Sequence, residues 1–149
     1  MGLIKAASRS AEAFAPTLPE ASLTDDDPAE RRRAVQAMAG DEAAVETLIW
    51  LLRSEPDNSV RQAAFTALAA IDNLDAARAI AAMLTEPDPA LRNGALEALA
   101  ALPHQAAALL EPLGHHADPD VRSFTVLLAA GLPGQNGADF LMALAARET

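Results

Sequence analysis

Three histidines and their acidic neighbours are the residues of this chain most open to a chemical reading. Glu111 and His115 stand four apart, a spacing that puts two ligands on one helix face within reach of a single metal ion. His104 lies seven residues before Glu111 on the same face, yet about 10 Å away along a helix rising 1.5 Å per residue. Pro112 and Gly114 should also bend or end the helix there. His116, Asp118 and Asp120 make a second loose cluster, but Asp118 is already wanted as a helix cap. The reading is therefore solvated helix-end histidines, with no metal and no cofactor. Nucleophilic chemistry has no better footing. The chain has no cysteine, no phosphate-binding glycine loop and no serine-centred elbow, so no residue is assigned a catalytic role.

The elements that must position these residues announce themselves by recurrence. Asp27-Pro28-Ala29-Glu30-Arg31, Asp57-Asn58-Ser59-Val60-Arg61, Asp88-Pro89-Ala90-Leu91-Arg92 and Asp118-Pro119-Asp120-Val121-Arg122 repeat one pattern, their aspartates 30, 31 and 30 residues apart. Such a period marks a solenoid, in which each unit buries its apolar face by stacking on the next. Each unit reads as two helices. The aspartate caps the first, and proline at its first position loses nothing, because its missing N–H would be unpaired anyway. The pattern predicts helices near 28–39, 41–54, 58–70, 73–85, 89–101, 104–115, 119–130 and 136–147. Gly40, Pro56, Pro87, Pro103 and Gly131-Leu132-Pro133-Gly134 act as breakers. Val45, Leu48, Ile49 and Leu52 give the second of these helices one apolar stripe. The fold class is all-α: an α-solenoid of about four stacked antiparallel helix pairs, with repeats near 25–55, 56–86, 87–117 and 118–149.

Composition agrees. Apolar residues make up 51% of the chain but aromatics only 3%, so much of the apolar content is alanine, which favours helix and lets helices approach closely. The net charge of −10 argues against nucleic acid, whose binders draw affinity from cations on phosphate. Arg31-Arg32-Arg33, flanked by Asp25-Asp26-Asp27 and Glu30, reads as a locally neutralised helix end. No stretch nears the ~20 apolar residues of a membrane span. The start has neither the apolar length of a signal peptide nor a myristoylation pattern. With no cysteine, the expected setting is the cytoplasm.

The four Asp-x-x-φ-Arg segments, each followed by an Ala/Leu helix, resemble short HEAT repeats of the kind found in phycobilisome lyases and their relatives, over roughly residues 25–149. The resemblance implies that first helices form the convex side and second helices line the concave side. It also implies that Asp57, Arg61, Asp88, Arg92, Asp118 and Arg122 form a ladder between neighbouring repeats. The chain is also similar in fold to deoxyhypusine hydroxylase, but lacks the repeated His-Glu pairs with which that enzyme holds iron.

Repeat one departs from the pattern. Glu30 stands where the others carry Val60, Leu91 and Val121, and Arg33 where they carry Ala63, Gly94 and Phe124, as suits a solvent-facing cap. Residues 1–24 are expected to be partly helical or mobile, with Pro16 and Pro19 preventing one continuous helix. Leu3, Ile4, Phe14, Leu18 and Leu23 are available to fold back on the array. At the other end, an uncovered apolar edge among Phe140, Leu141, Met142 and Leu144 would favour self-association through the C-terminal helix.

Function must then lie in a surface. Helical rotation turns Glu46, Trp50 and Arg53, then Asp75, Arg78, Ala82 and Thr85, then His104, Ala108, Glu111 and His115, then Asp139, Ala143 and Arg147 away from the core. Trp50, opposite the apolar stripe, is the strongest anchor for a partner. The sequence thus reads as a non-catalytic adaptor, scaffold or chaperone-like subunit holding another protein on its concave face. The alternative is an accessory subunit of a chromophore-attaching (bilin lyase-like) or metal-handling enzyme.

Overall fold

Helix caps organise the chain. The side chains of Asp27, Asp41, Asp57, Asn73, Asp88 and Asp118 each accept a backbone N–H two or three residues on. Each such cap is worth about 1 kcal/mol. The computed structural model describes the backbone of residues 19–148 and the side chains of 22–147. Expectations for Leu3, Ile4, Phe14, Pro16 and Leu18 lie outside these residues.

A 3₁₀ turn, Pro19–Thr24, precedes α1 (Pro28–Gln36). A 3₁₀ turn at Glu42–Ala44 leads into α2 (Val45–Ser54), followed by α3 (Asn58–Ile71) and α4 (Leu74–Ala82), which tightens to a 3₁₀ turn at Met83–Thr85. Then come α5 (Pro89–Ala100), α6 (Pro103–Gly114), α7 (Pro119–Gly131) and α8 (Asn136–Glu148). No strand occurs among the described residues, and no helix there is long and apolar enough to cross a membrane.

α1 stops three residues short of its expected end, and the chain turns through Gly40 at φ 78°, a left-handed conformation that glycine adopts freely. α3 ends on Asp72 at φ 53°, which a short polar side chain tolerates. Pro112 does not end α6. It sits in the last turn of the helix, which continues to Gly114.

The helices form two layers. α1, α3, α5 and α7 stack in one, and α2, α4, α6 and α8 in the other. α2–α3, α4–α5 and α6–α7 contacts join the layers across successive repeats. One core runs through the stack from Leu23 to Phe140, so each unit is buried by its neighbours. Two glycines permit the closest approaches. A Cβ on Gly94 would run into the Phe65 ring, 2.7 Å from Cδ2. One on Gly137 would overlap the Ala129 carbonyl oxygen and come 3.0 Å from its carbon.

The N-terminal end is covered. The 19–24 turn packs on α1 and buries Leu23, while Glu30 and Arg33 pair with each other at the surface.

Candidate functional site

The second helices carry most of the residues that sequence reasoning assigns to a binding surface. Glu46 and Arg53 on α2, Arg78 on α4, Thr85 just beyond it, and His104, Glu111 and His115 on α6 are all exposed. So are Ala82, Ala108 and Ala143, which leave room for close approach. Arg53 pairs with Glu86 at 2.8 Å, and Arg78 with Asp75 at 3.5 Å. Thr85 Oγ1 donates to the Ala82 carbonyl at 3.0 Å.

Trp50 differs from the exposed side chain expected of it: it is half-buried and packs against the core. The apolar line of α2 also departs from the expected one. Its buried line is Ala44, Leu48, Leu51 and Leu52, while Val45 and Ile49 are only half-buried. At 100° per residue Trp50 still lies about 150° from this line, so the helix phase alone does not account for its burial.

α6 and α8 bring three polar side chains together. Arg147 Nη2 donates to both Glu111 carboxylate oxygens at 3.1 and 3.3 Å, and its Nη1 lies 3.1 Å from His115 Nε2. His115 Nδ1 lies 2.8 Å from the Glu111 carbonyl, which fixes the ring along the helix end. Nδ1 thus faces a carbonyl and Nε2 a guanidinium, an arrangement that matches a ring donating from Nδ1 and accepting at Nε2. His104 does not join them, and its side chain has no hydrogen bond or ion pair among the described residues. No three metal-type side chains converge there either.

The arginines of the repeated motif do two different jobs. Nη1 of Arg31 binds the Asp25 and Asp26 carbonyls (2.7 and 3.1 Å), that of Arg92 the Glu86 and Pro87 carbonyls (both 2.8 Å), and that of Arg122 the His116 and Ala117 carbonyls (2.7 and 3.1 Å). Arg92 and Arg122 thus clamp the loop leading into their own repeat, and Asp118 caps its own helix, instead of bridging to a neighbour. Only Arg61 spans repeats in the expected way, with Nη1 on Asp88 at 2.7 Å and Nη2 on Asn58 at 2.8 Å. Its Nε is buried without a partner among the described residues.

Arg31 makes a second bridge that the motif does not encode: Nε and Nη2 fork onto Glu55, both at 2.9 Å, and the Glu55 side chain is buried. The Glu55 hydrogen bond raises the Arg31 pKa. The Ser59 hydroxyl, then the Val60 amide and the Arg31 charge, hold Asp57 below the usual carboxylate range. The Ala90 amide and then Arg61 do the same for Asp88. Of these contacts, Arg31–Glu55 and Arg61–Asp88 link distant segments, while the caps on Asp57 and Asp88 are local.

A profile for HEAT repeats matches residues 15–100, more than half of the chain. The chain belongs to the HEAT-repeat family. No curated protein matches it. HEAT repeats generally mediate protein–protein interaction and are generally not catalytic. The two layers of this HEAT array offer different surfaces. Between α3 and α5, in the first-helix layer, lies a groove of about 500 Å³ walled by Gln62, Thr66, Asn93 and Glu97 and floored by Phe65 and Ala98. Sequence reasoning missed it. The available signal was Gly94, the smallest residue in a motif position where other repeats carry Ala63 and Phe124.

Proposed function

We propose that this HEAT-repeat protein is a non-catalytic interaction module, an adaptor, scaffold or chaperone-like subunit, that holds a partner protein on the exposed face of α2, α4, α6 and α8. One observation carries this reading: Arg53, Arg78, Glu111, His115 and Arg147 project from a single layer, each charge held against an opposite or polar neighbour, with exposed alanines between them. Pre-set polar groups around small residues let a partner element approach closely without leaving charges unpaired. Trp50 contributes at the rim with the part of its ring that stays exposed. The cysteine-free composition suits a cytoplasmic setting.

The test is capture from a lysate of the native host, followed by cross-linking to map the contact. Arg78→Glu with Glu111→Lys reverses two exposed charges and should weaken capture at least ~10-fold, about 1.4 kcal/mol, while the lost surface pairs with Asp75 and Arg147 lower the melting temperature only slightly. Cross-links confined to the α3–α5 groove, or undiminished capture by the double variant, would overturn this placement. Visible absorbance or a stoichiometric metal carried by the purified protein, and lost on His104→Ala and His115→Ala, would instead favour the accessory-subunit reading.

A further inference from the structure

The groove between α3 and α5 is lined by polar groups that the fold leaves unused. Gln62 and Asn93 both stand fifth after a capping aspartate, and Thr66 and Glu97 ninth, so each pair is displaced by one repeat across the groove. All four are exposed, and their side chains make no hydrogen bond or ion pair among the described residues. On the second-helix face, by contrast, Arg53, Arg78, Glu111 and Arg147 are each paired. Two charged side chains line the groove, Arg61 and Glu97. Arg61 is spent on Asp88 and Asn58, which leaves the Glu97 carboxylate uncompensated. Glu97 also lies in the last turn of α5, and Ala69 brings the last turn of α3 to the same groove. Neither turn holds a basic residue, so the partial negative charge of both helix ends adds to that of the carboxylate. The site asks for a cation.

We propose that this groove binds an extended, basic peptide segment of a partner protein, laid across α3 and α5 with a lysine or arginine on Glu97. The extent of the surface favours a chain over a small cation. The wall formed by Gln62 and Thr66 also borders a second groove, of about 320 Å³, that reaches Arg32 and Gln36 of α1. A segment crossing three helices spaced about 8–10 Å apart runs about 20 Å, roughly six or seven residues in the polyproline-II conformation at ~3.1 Å each. Three such residues make one turn and advance about 9 Å, which matches the helix spacing. Backbone groups of equal orientation therefore fall on Gln62 and on Asn93. A primary amide sets a donor beside an acceptor, and a polyproline-II backbone makes no internal hydrogen bonds, so its carbonyls are open to both amides. Phe65 and Ala98 supply a small apolar floor. The groove belongs to the first-helix layer, so this site does not rest on the face assigned to α2, α4, α6 and α8.

An array of short random peptides, half with a fixed central Arg and half with a fixed central Glu, probed with the full chain, is the first measurement. The Arg peptides should be retained and the Glu peptides not. The best-retained peptide, carrying fluorescein, is then titrated by fluorescence polarisation. Glu97→Gln should weaken it about fivefold, the upper end for a solvent-exposed ion pair, and Gln62→Ala or Asn93→Ala about threefold each. Circular dichroism should be unaltered in all three, because the side chains are exposed and unpaired within the fold. Glu97→Lys should turn the preference of the array from Arg to Glu. Arg78→Glu with Glu111→Lys leaves the net charge at −10 and should not move the titration, which separates this site from the second-helix face. No retention, no preference for Arg, or a titration indifferent to Glu97→Gln would each overturn the proposal. So would loss of binding in the second-helix double variant, or displacement of the peptide by an equal concentration of 1,5-diaminopentane, which would mark a site for small cations.

Discussion

Gly137→Ala tests how closely the last two helices pack. The added Cβ would overlap the Ala129 carbonyl oxygen and stand 3.0 Å from its carbon and 3.4 Å from the Leu132 Cβ. Two of those three atoms are backbone, so no rotamer change relieves the clash, and α8 must withdraw from α7 by more than an ångström. A gap of that size forfeits a quarter or more of the dispersion along the Ala129, Leu132 and Phe140 contact. Overpacking of this kind costs about 3 kcal/mol, and alanine recovers about 1 through helix propensity. The net loss is then about 2 kcal/mol, roughly 4–8 °C in Tm for a chain this size. Urea unfolding followed by circular dichroism measures it, and hydrogen exchange should show α8 opening first, since the weakened contact is the one that holds it to α7. The control is Gly131→Ala, whose Cβ meets nothing within 4 Å and should be neutral or slightly stabilising. If Gly137→Ala is as stable as its parent, the helices do not approach this closely and the reasoning fails.

Acid should weaken the array in a particular window. Asp57 and Asp88 have folded pKa values below their unfolded ones, so the stability they confer is full above about pH 5 and is lost as pH falls through the folded values. Asp57→Asn should flatten that part of the stability–pH curve, and an unaltered curve would show that the low pKa is not maintained. Trp50→Ala should cost about 2 kcal/mol, less than the 3–5 typical of a fully buried ring, because Trp50 is only half-buried. A thermal melt decides it: no loss would return Trp50 to the surface. As the lone tryptophan, its emission should also shift to the red on unfolding.

What the sequence made legible was whatever acts locally. An aspartate followed by proline caps and starts a helix with no help from the rest of the fold, so the number, order and approximate bounds of the helices could be read; the recurrence implied stacked helix pairs, and the resemblance to HEAT repeats implied the two sides. The buried line of α2 was read only in part: Leu51 joins Leu48 and Leu52 in it, while Val45 and Ile49 are half-buried. Trp50, expected exposed, is half-buried against the core. Pro112 was expected to break α6, but in the last turn a proline gives up a single hydrogen bond and the helix absorbs that. The α3–α5 groove depends on Phe65 meeting Gly94 across two repeats, a pairing that no spacing within one repeat displays.

The uneven behaviour of the four arginines shows how one substitution changes what a repeated motif does. Arg31, Arg92 and Arg122 follow Pro28, Pro89 and Pro119, and each turns back to the two carbonyls five and six residues before it. Arg61 follows Asn58, the one copy without proline at that position. Proline offers no side-chain acceptor, so there the guanidinium finds backbone carbonyls in the preceding loop. The Asn58 amide oxygen supplies an acceptor three residues back, takes Nη2 at 2.8 Å, and leaves Nη1 aimed forward at Asp88. The same exchange leaves the loop before repeat two without its arginine clamp. Glu55 takes over there, accepting from Arg31 of repeat one and from the Asp57 amide at 3.0 Å. The junction of repeats one and two is therefore held from the preceding repeat, and that of repeats two and three by Arg61 reaching ahead. The copy with Asn in place of Pro is thus the one whose arginine reaches the aspartate of the next repeat.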